Sequence, residues 1–345
     1  MIRIGIVAPA EIAFRRFMPA LKTVEGIQYI GVAIYNSFER FGKTEELSEQ
    51  ENAIIQREIQ KGKEFIQEYG GGLFYSYEEL ICSDEIDAVY IPLPPALHDI
   101  YTKLALAHGK HVLVEKPSSI SLERTEEIVE LAREKELVLF ENYMFAYHKQ
   151  ISSLKDIINS GKIGKVRLYS LKFGFPKRAT GDFRYIKNMG GGSLLDAGGY
   201  TLKLAGMLLG ESAEVICATL NQESEYDVDI CGSATLINDE KITAQVAFGM
   251  DNAYKCQMEV WGSLGSIRTE RIFTAPPGMQ TLAIICCNGQ EEIVELGEDD
   301  TFKKSIEMFC QCIDNNQERY TSYEAILKQA RLVEQAMTKI GRAHV

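Results

Sequence analysis

The feature that most constrains the fold is a short apolar run with a chain-breaking residue on each side. Gly109 and Pro117 enclose the continuous β-prone run 112–114. Such a run is typical of a central parallel strand that is covered on both faces. Glu115 and Lys116 follow it at once. Because ligands of open α/β sheets bind at the carboxyl ends of the strands, this pair is either a ligand-facing site or an ordinary surface pair at a loop start.

Length and charge limit the classes of protein that this chain can belong to. Its 345 residues suit two domains, and no run of about 18 apolar residues could cross a bilayer, so we expect no membrane partner. A net charge of −12 argues against a nucleic-acid partner, because phosphate backbones bind basic surfaces. The chain shows no basic segment followed by an apolar one, so we expect a cytoplasmic protein without a secretory signal.

The cysteines point to reduced thiols and not to a metal site. None of the eight has the C-x-x-C spacing of a zinc ligand pair, and two of them are adjacent, which is awkward for a disulfide framework. We therefore predict free thiols in a reducing compartment and no bound metal.

The amino terminus is a strand that turns into a helix, which is where a dinucleotide site would lie. Such a site favours G-x-G-x-x-G, so that the backbone can approach a pyrophosphate at the start of a helix. Here only Gly5 is present, and Pro9 offers no N–H group. The turn is therefore either a phosphate-binding turn made of small residues or a plain connection. The residues assigned to cofactor contact are Ala8, Ala10, Glu11 and Ile12.

The second strand, residues 29–34, ends without a carboxylate that could hold the ribose 2′-hydroxyl of NAD. Asn36, Ser37 and Arg40 stand there instead, and we expect them to contact the cofactor. An arginine suits the 2′-phosphate of NADP, so NADP(H) is favoured and NAD(H) is the alternative. Arg40 could equally be a solvated side chain in the first turn of a helix.

After a helix that begins near residue 151, the chain alternates strand-like runs with turns. Their period-two alternation predicts a large, mostly antiparallel sheet. Two helices follow, at 302–312 and 323–340, and residues 341–345 are expected to form a frayed tail. The predicted strands are Val166–Phe173, Glu214–Leu220, Ile230–Ile237, Ile242–Phe248, Cys256–Trp261, Gly265–Glu270, Leu282–Cys286 and Ile293–Leu296.

Three stretches carry a resemblance to a known family. They read GKHVLVEKP at 109–117, AEIAFRRFMPAL at 10–21 and GGGSLLDAGGY at 190–200. The chain resembles the Gfo/Idh/MocA family of NAD(P)-dependent sugar and polyol oxidoreductases, above all the branch that reduces 3-keto groups of nucleotide-linked deoxysugars. The resemblance implies a doubly wound parallel Rossmann domain at 1–145 and an α+β domain on an open antiparallel sheet at 146–345. That sheet would also form a homodimer or homotetramer.

The resemblance also assigns residues to the cofactor and marks where this chain departs from the family. Pro92, Leu93 and His98 lie in a stretch that lines the nicotinamide and ribose in relatives, and Glu115 and Lys116 belong to the cofactor side as well. Pro95 and Ala146 replace an asparagine and an arginine of the family pattern. Residues 43–68 make the connection after the second strand longer than usual, and we interpret them as a helical insert without chemistry.

The glycine-rich turn at 190–192 and the residues after it supply the reacting groups. Asp196 and Tyr200 are four residues apart and therefore share one face of a helix. We expect Tyr200 to be the proton donor or acceptor, with Lys116 binding the substrate oxygen and lowering the pKa of Tyr200. Asp196 would position the substrate or the lysine. Tyr200 could instead be a packed helix residue that Asp196 caps. The remaining residues assigned to substrate contact are Tyr143, Arg184 and Tyr185.

Three functions are compatible with these residues. The first is an NADP(H)-dependent reductase of a ketone on a sugar, in particular a nucleotide-linked sugar. The second is a sugar or trans-dihydrodiol dehydrogenase that works in the oxidative direction. The third is a dinucleotide sensor without turnover, because the family includes a repressor of that kind and the phosphate turn lacks glycines. Retention of Lys116, Asp196 and Tyr200 favours an enzyme.

Overall fold

The computed structural model describes residues 1–44, 47–179 and 181–340, and the predicted tail at 341–345 lies outside this range. The chain forms two compact units that are each built from several stretches. The first unit comprises Met1–Ser119, Glu123–Asn142 and Ser305–Ile326. The second comprises Ile120–Leu122, Tyr143–Lys304 and the chain from Leu327.

The first unit contains a six-stranded sheet in which every neighbouring pair is parallel. Its strand order is β3-β2-β1-β4-β5-β6, which is the doubly wound order of dinucleotide-binding domains. The predicted central strand is confirmed, because Val112, Leu113 and Val114 of β5 have no exposed surface. The strands are β1 Ile2–Val7, β2 Ile27–Ala33, β3 Gly72–Phe74, β4 Ala88–Ile91, β5 His111–Glu115 and β6 Leu139–Asn142.

Helices connect these parallel strands, as a right-handed crossover requires. The predicted helical insert contains one long helix, Glu49–Tyr69, and residues 45 and 46 of the predicted segment lie outside the described range. A π-helical turn, Ala13–Phe17, leads into the first helix. The helices are α1 Met18–Leu21, α2 Ser37–Phe41, α3 Glu49–Tyr69, α4 Tyr77–Cys82, α5 Pro95–Ala107 and α6 Leu122–Glu134.

The second unit is built on an eight-stranded sheet, in the order β14-β13-β12-β11-β7-β10-β9-β8. Only the pair β7–β10 is parallel, so the expectation of a large, mostly antiparallel sheet is confirmed. The strands are β7 Val166–Gly174, β8 Glu214–Gln222, β9 Asp229–Ile237, β10 Thr243–Gly249, β11 Lys255–Gly262, β12 Gly265–Glu270, β13 Thr281–Cys287 and β14 Gln290–Gly297.

One face of this sheet is buried and the other is open, which follows from the alternation of side chains along each strand. In β11, for example, Cys256, Met258 and Val260 are buried whereas Glu259 and Trp261 are exposed. The helices α7 Lys149–Asn159 and α8 Gly199–Leu209 belong to this unit. A π-helical turn, Leu194–Gly198, runs directly into α8.

The last two helices, α9 Thr301–Asp314 and α10 Asn316–Thr338, are divided between the units. We predicted that the whole chain after residue 145 forms one domain, but residues 305–326 group with the first unit. Polar contacts explain this difference, because Ser305 Oγ donates to Asn142 Oδ1 at 2.6 Å and Ser322 Oγ donates to the Leu139 carbonyl at 2.8 Å. The domain boundary near residue 145 itself stays a prediction.

Candidate active site

The turn after β1 has the shape of a phosphate-binding turn although it lacks glycine. Ala8 is 6% exposed and has a φ of 112°, a backbone conformation that favours glycine. Ala10 and the fully buried Ala13 complete an A-x-A-x-x-A spacing that matches G-x-G-x-x-G residue for residue. The sequence predicted a turn of small residues at Ala8 and Ala10 as one of two alternatives, but we did not notice that Ala13 completes the spacing.

A helical stretch begins directly after this turn, at residue 11, and its first backbone hydrogen bond joins Phe14 N to the Ala10 carbonyl. The N–H groups before Phe14 are therefore available to an anion at the helix amino terminus. Glu11 and Ile12 are exposed in the first turn, and Glu11 forms an ion pair with Arg15 at 2.7 Å. These features fit the pyrophosphate of a dinucleotide, with small side chains where the backbone must come close.

At the end of β2, Asn36 forms hydrogen bonds to the backbone, whereas the side chain of Arg40 is exposed. Asn36 caps α2, because its Oδ1 accepts from Glu39 N at 2.8 Å while Glu39 Oε2 accepts from Asn36 N at 2.9 Å. Ser37 is the first residue of that helix. Arg40 is exposed, with its guanidinium carbon 5.6 Å from the centre of the Tyr35 ring. Arg40 therefore presents the positive charge at this end of the sheet.

His98 has backbone partners inside the first unit, and its expected contact with the cofactor stays a prediction. It is fully buried, and its two ring nitrogens each lie 2.6 Å from a backbone carbonyl oxygen, one of Leu93 and one of Pro117. His98 thereby ties the loop after β4 to the loop after β5. Pro92 and Leu93 are buried in the first of these loops.

Glu115 is held by side chains from the two strands beside it. Tyr90 of β4 and Asn142 of β6 both donate to Glu115 Oε1 at 2.7 Å. Desolvation raises the pKa of Glu115, and these hydrogen bonds and the nearby Lys116 charge oppose that rise. Glu115 therefore anchors the end of β5, and Lys116 is the first residue beyond the strand and is partly exposed.

In the second unit, Tyr200 stands in an aromatic cage on α8. It is 8% exposed, and its hydroxyl lies 3.8 Å from Met144 Sδ. Neighbouring rings fix the plane of the phenol with centroid distances between 5.1 and 5.9 Å. A ring that is held this firmly keeps its hydroxyl in one place. The four rings of the cage are Tyr143, Phe145, Phe173 and Phe273.

Asp196 lies in the π-helical turn before Tyr200 and is paired with Arg184. Arg184 Nε donates to Asp196 Oδ2 at 2.7 Å, and Arg184 Nη1 lies 3.1 Å from Asp182 Oδ1. The side chain of Asp196 is 13% exposed. The sequence predicted both Arg184 and Asp196 as site residues but not their ion pair, which leaves Asp196 fixed by an arginine.

The glycines before this turn are required by close packing. A side chain at Gly191 would collide with the Arg184 carbonyl oxygen, and Gly192 has a φ of 118°. Asp229 of β9 then caps the turn, because its Oδ2 accepts from Ser193 Oγ at 2.6 Å and from Leu194 N at 2.7 Å. Asp229 is a residue that sequence reasoning missed, since it lies 33 positions beyond Asp196 without a motif of its own.

Two residues that we assigned to the substrate have partners within the second unit, and their contact with a substrate stays a prediction. Tyr143 is 1% exposed, its hydroxyl accepts from Gln329 Nε2 at 3.1 Å, and its ring supports Tyr200. The Tyr185 hydroxyl donates to the Met250 carbonyl oxygen at 3.0 Å, and the Tyr185 ring is tilted against the Tyr226 ring with 5.2 Å between their centres. Tyr143 is thus a wall of the aromatic cage, and Tyr185 fixes the segment that carries Arg184.

The described residues form neither a metal site nor a membrane span. Over residues 1–44, 47–179 and 181–340, no group of three or more His, Cys, Asp or Glu side chains is placed to hold a metal ion. Within the same residues, no helix has the length and apolar character needed to cross a bilayer. All eight cysteines are free thiols.

The parallel sheet order, the small-residue turn and the helix amino terminus after β1 define a dinucleotide-binding protein. Family descriptions agree: an oxidoreductase family with an NAD-binding Rossmann fold matches residues 26–143, and the GFO/IDH/MocA C-terminal domain matches residues 151–268. The chain belongs to the Gfo/Idh/MocA oxidoreductase family.

Individual relatives are similar over nearly the whole chain. The dTDP-3,4-didehydro-2,6-dideoxy-alpha-D-glucose 3-reductase of Actinomadura kijaniata is 36% identical over 337 residues, which cover 98% of this chain and 95% of that protein. A crystal structure of a 3-ketoreductase from the same organism, in complex with NADP and TDP-benzene, has a TM-score of 0.89 at 34% identity and 98% coverage of both chains. Trans-1,2-dihydrobenzene-1,2-diol dehydrogenase of Mus musculus is 30% identical over 182 residues, 51% of this chain and 53% of that protein.

Proposed function

We propose that this protein is an NADP(H)-dependent reductase of a ketone on a nucleotide-linked sugar. The observation that carries the proposal is the similarity to a dTDP-sugar 3-reductase over 98% of the chain, with a lysine after β5 and a caged tyrosine on α8. The solved structures of the related 3-ketoreductase include forms in which a lysine or a tyrosine is replaced. These are the two residue types to which we assign the reaction.

Each residue has a separate task in the proposed reaction. Bound NADPH supplies the hydride that reduces the carbonyl carbon. Lys116 donates a hydrogen bond to the carbonyl oxygen and stabilises the charge that develops there. Tyr200 gives its phenolic proton to that oxygen, which completes the alcohol. Asp196, fixed by Arg184 at 2.7 Å, accepts from a substrate hydroxyl and orients the ring.

The preference for NADP(H) rests on the charges at the end of β2. Glu39 is the carboxylate nearest in sequence to the end of the strand, and backbone N–H groups engage both of its oxygens. Arg40 is exposed and positive at the same place. We assign the 2′-phosphate of NADP to Arg40, since a guanidinium matches a phosphate in charge and geometry.

A dehydrogenase that oxidises a diol or sugar is the second candidate function. It is favoured by the partial similarity to the mouse dihydrodiol dehydrogenase. The same residues would work in reverse, with Tyr200 taking the proton from the alcohol. Net oxidation of a trans-dihydrodiol at neutral pH, without reduction of a sugar ketone, would support this candidate over the reductase.

The proposed roles predict the behaviour of two variants. Lys116→Met and Tyr200→Phe each lower kcat by at least about a hundred-fold, because each removes a group that acts on the developing alkoxide. NADPH affinity, followed by cofactor fluorescence, stays within about three-fold because neither change removes a phosphate contact. The exposed residues Lys63 and Tyr320 supply matched controls, Lys63→Met and Tyr320→Phe, which should keep full activity. Loss of NADPH binding in Tyr200→Phe would contradict the assigned roles.

We also propose that the open face of the second sheet joins copies of this chain into a homodimer or homotetramer. Large apolar side chains are exposed on that face, including Trp261 at 62% and Leu282 at 45%. Such a surface is typical of a subunit interface.

We place the protein in the cytoplasm, because its eight free thiols suit a reducing compartment, and cell fractionation tests this placement.

A further inference from the structure

Phe273, one wall of the aromatic cage around Tyr200, lies in a turn and not in a helix or strand. The turn follows β12, and Phe273 is fully buried there. Its ring centre lies 5.9 Å from that of Tyr200. The Phe273 ring also contacts two other walls of the cage, Phe145 at 5.1 Å and Phe173 at 5.3 Å. The position of Phe273 therefore affects the phenol both directly and through its neighbours.

The backbone leaves the sheet just before Phe273. Gln257 of β11 pairs with Glu270, the last residue of β12. The next residue, Arg271, has a φ of 57°, a left-handed conformation that a continuing strand does not adopt. The N–H group of Phe273 thus lies beyond the regular ladder. It needs another acceptor, because a buried N–H group without a partner is costly.

Cys256 of β11 supplies this acceptor. Its Sγ accepts from Phe273 N at 3.2 Å and from Thr274 Oγ1 at 3.5 Å. The Cys256 carbonyl also accepts from Ile272 N at 3.4 Å. Three consecutive residues of the turn are therefore tied to one fully buried strand residue, and Phe273 is the middle one of the three.

A series of hydrogen bonds from partly exposed side chains ends on the same sulfur. Arg271 Nη1 donates to the Tyr254 hydroxyl at 2.9 Å, and the Tyr254 hydroxyl lies 2.6 Å from Thr274 Oγ1. Since Thr274 gives its proton to the Cys256 sulfur, Tyr254 is the donor in its bond with Thr274. Cys256 thus acts as a hydrogen-bond acceptor and not only as a small apolar side chain.

We propose that Cys256 is a positioning residue for the proton donor: by holding Phe273 against Tyr200, its sulfur keeps the phenol in place for proton transfer. This inference rests on the proposed function, because it presupposes that Tyr200 protonates the substrate oxygen. Cys256 acts through Phe273 and takes no part in the chemistry. Because the phenol proton is transferred only in the transition state, displacement of the phenol lowers kcat and leaves substrate binding unchanged.

The test is the separate measurement of kcat and KM for the reduction of a dTDP-linked 3-keto-sugar by NADPH. Cys256→Val removes the acceptor sulfur and keeps a small apolar side chain. Misplacement of a reacting group by about 1 Å can cost about a hundred-fold in rate, and Phe273 is one of several rings that hold the phenol. We therefore expect kcat to fall by about ten-fold, while KM for the sugar and NADPH affinity stay within about three-fold. Cys256→Ser keeps an acceptor and should retain kcat within about three-fold.

A buried cysteine of the first unit supplies the matched control. Cys312 on α9 is 1% exposed, and Cys312→Val should leave kcat unchanged. Phe273→Leu removes the ring without touching Cys256 and should lower kcat to a similar extent as Cys256→Val. It replaces Cys256→Val if that variant fails to fold. An unchanged kcat in these variants, or a loss of activity that lies entirely in KM, would overturn the proposal.

A double variant tests whether Cys256 acts through the phenol. In a Tyr200→Phe background, the slow single-turnover rate measured with excess enzyme should not fall further when Cys256→Val is added, because the residue through which Cys256 acts is gone. A further fall of about ten-fold would show that Cys256 acts elsewhere and would overturn the positioning role.

The result also distinguishes this inference from the proposed function. If the original protein reduces the keto-sugar and Tyr200→Phe removes that activity, but Cys256→Val keeps kcat, the positioning role is wrong and the reductase proposal stands. If the original protein reduces no keto-sugar, or Tyr200→Phe keeps full turnover, the role of Tyr200 is wrong and the positioning role is overturned with it.

Discussion

At the scale of single residues, Ala8 shows how a site can be conserved in geometry without its usual residue. The turn after β1 needs a positive φ and a close approach of the backbone to the ligand. Alanine is small enough for the close approach, but its side chain makes the positive φ of Ala8 strained. A non-glycine residue in such a region costs of order 1–3 kcal/mol. The strain is stored beside the place where the pyrophosphate binds in this fold.

Replacing this alanine by glycine should therefore stabilise the protein. Ala8→Gly removes the backbone strain of the folded state. Glycine also makes the unfolded chain more flexible, which reduces the gain in stability by roughly 0.4–1 kcal/mol. We expect a net gain of about 1 kcal/mol in the free energy of unfolding, measured by urea denaturation. The control is Ala13→Gly in the adjoining helical turn, which should lose about 1 kcal/mol or more. A loss of stability in Ala8→Gly would show that the strain is absent.

Sequence reasoning proposed candidate chemical groups at this scale but could not predict their partners. Lys116 and Tyr200 are recognisable because each lies within a local motif. The pairing of Asp196 with Arg184 and the burial of His98 depend on how side chains are directed after folding. The burial of Glu58 on α3, where it is 5% exposed, was also missed, because a charge-rich helix usually indicates a solvated face.

At the scale of elements, His111 joins the starts of two neighbouring strands. It opens β5, and its Nδ1 accepts a hydrogen bond from Val138 N at 3.0 Å, just before β6. Only the neutral imidazole can accept this bond. Desolvation, together with the positive charge of Arg319, lowers the pKa of His111 to about 4.

The stability of the first unit should therefore depend on pH through His111. The unfolded chain binds a proton at a pKa of about 6.5, whereas the folded chain does so only near 4. The neutral His111 therefore adds roughly 1–3 kcal/mol to the free energy of unfolding. This stabilisation is complete above about pH 6.5 and is lost as the pH falls towards 4. His111→Gln keeps an acceptor but does not titrate, so its urea midpoint should fall less over this range. The control is His108→Gln, at an exposed position, whose urea midpoint should change with pH as in the original protein. If the midpoint of His111→Gln falls with pH as steeply as that of the original protein, the assignment to His111 is wrong.

Elements were predictable where the apolar pattern was regular. The strand Gly265–Glu270 was predicted with its observed bounds, and the predicted central strand is fully buried in β5. The division of α9 and α10 between the units was not predictable, because it depends on contacts between residues far apart in sequence, such as Ser322 with Leu139. Periodicity indicates which face of a helix is buried but not which layer covers it.

At the scale of the whole molecule, the open face of the eight-stranded sheet exposes large apolar side chains. Trp261 of β11 lies opposite Leu168 of β7, and Ile293 of β14 lies opposite Ile284 of β13. Trp261 is 62% exposed and Ile293 is 67% exposed. Burial of these side chains against a second copy would remove substantial apolar area from water.

A charge on this face should therefore separate the subunits. Trp261→Glu is expected to weaken self-association by at least about thirty-fold, since buried tryptophans at interfaces contribute 2 kcal/mol or more. Light scattering coupled to size-exclusion chromatography measures the change, and Trp261→Phe, which keeps an aromatic ring, should remain assembled. NADPH affinity reports that the variant is folded. A monomeric original protein would contradict the proposed interface.

The most direct test of the central claim is an assay of the unmodified protein with NADPH and a dTDP-linked 3-keto-sugar. The proposal predicts that one NADPH is oxidised for each ketone reduced, with NADPH preferred over NADH. It also predicts that the ketone becomes an alcohol at the same carbon and that Tyr200→Phe abolishes this turnover. Tight NADPH binding without any reduction of the keto-sugar would contradict the assigned reaction and would favour a dehydrogenase or a dinucleotide sensor.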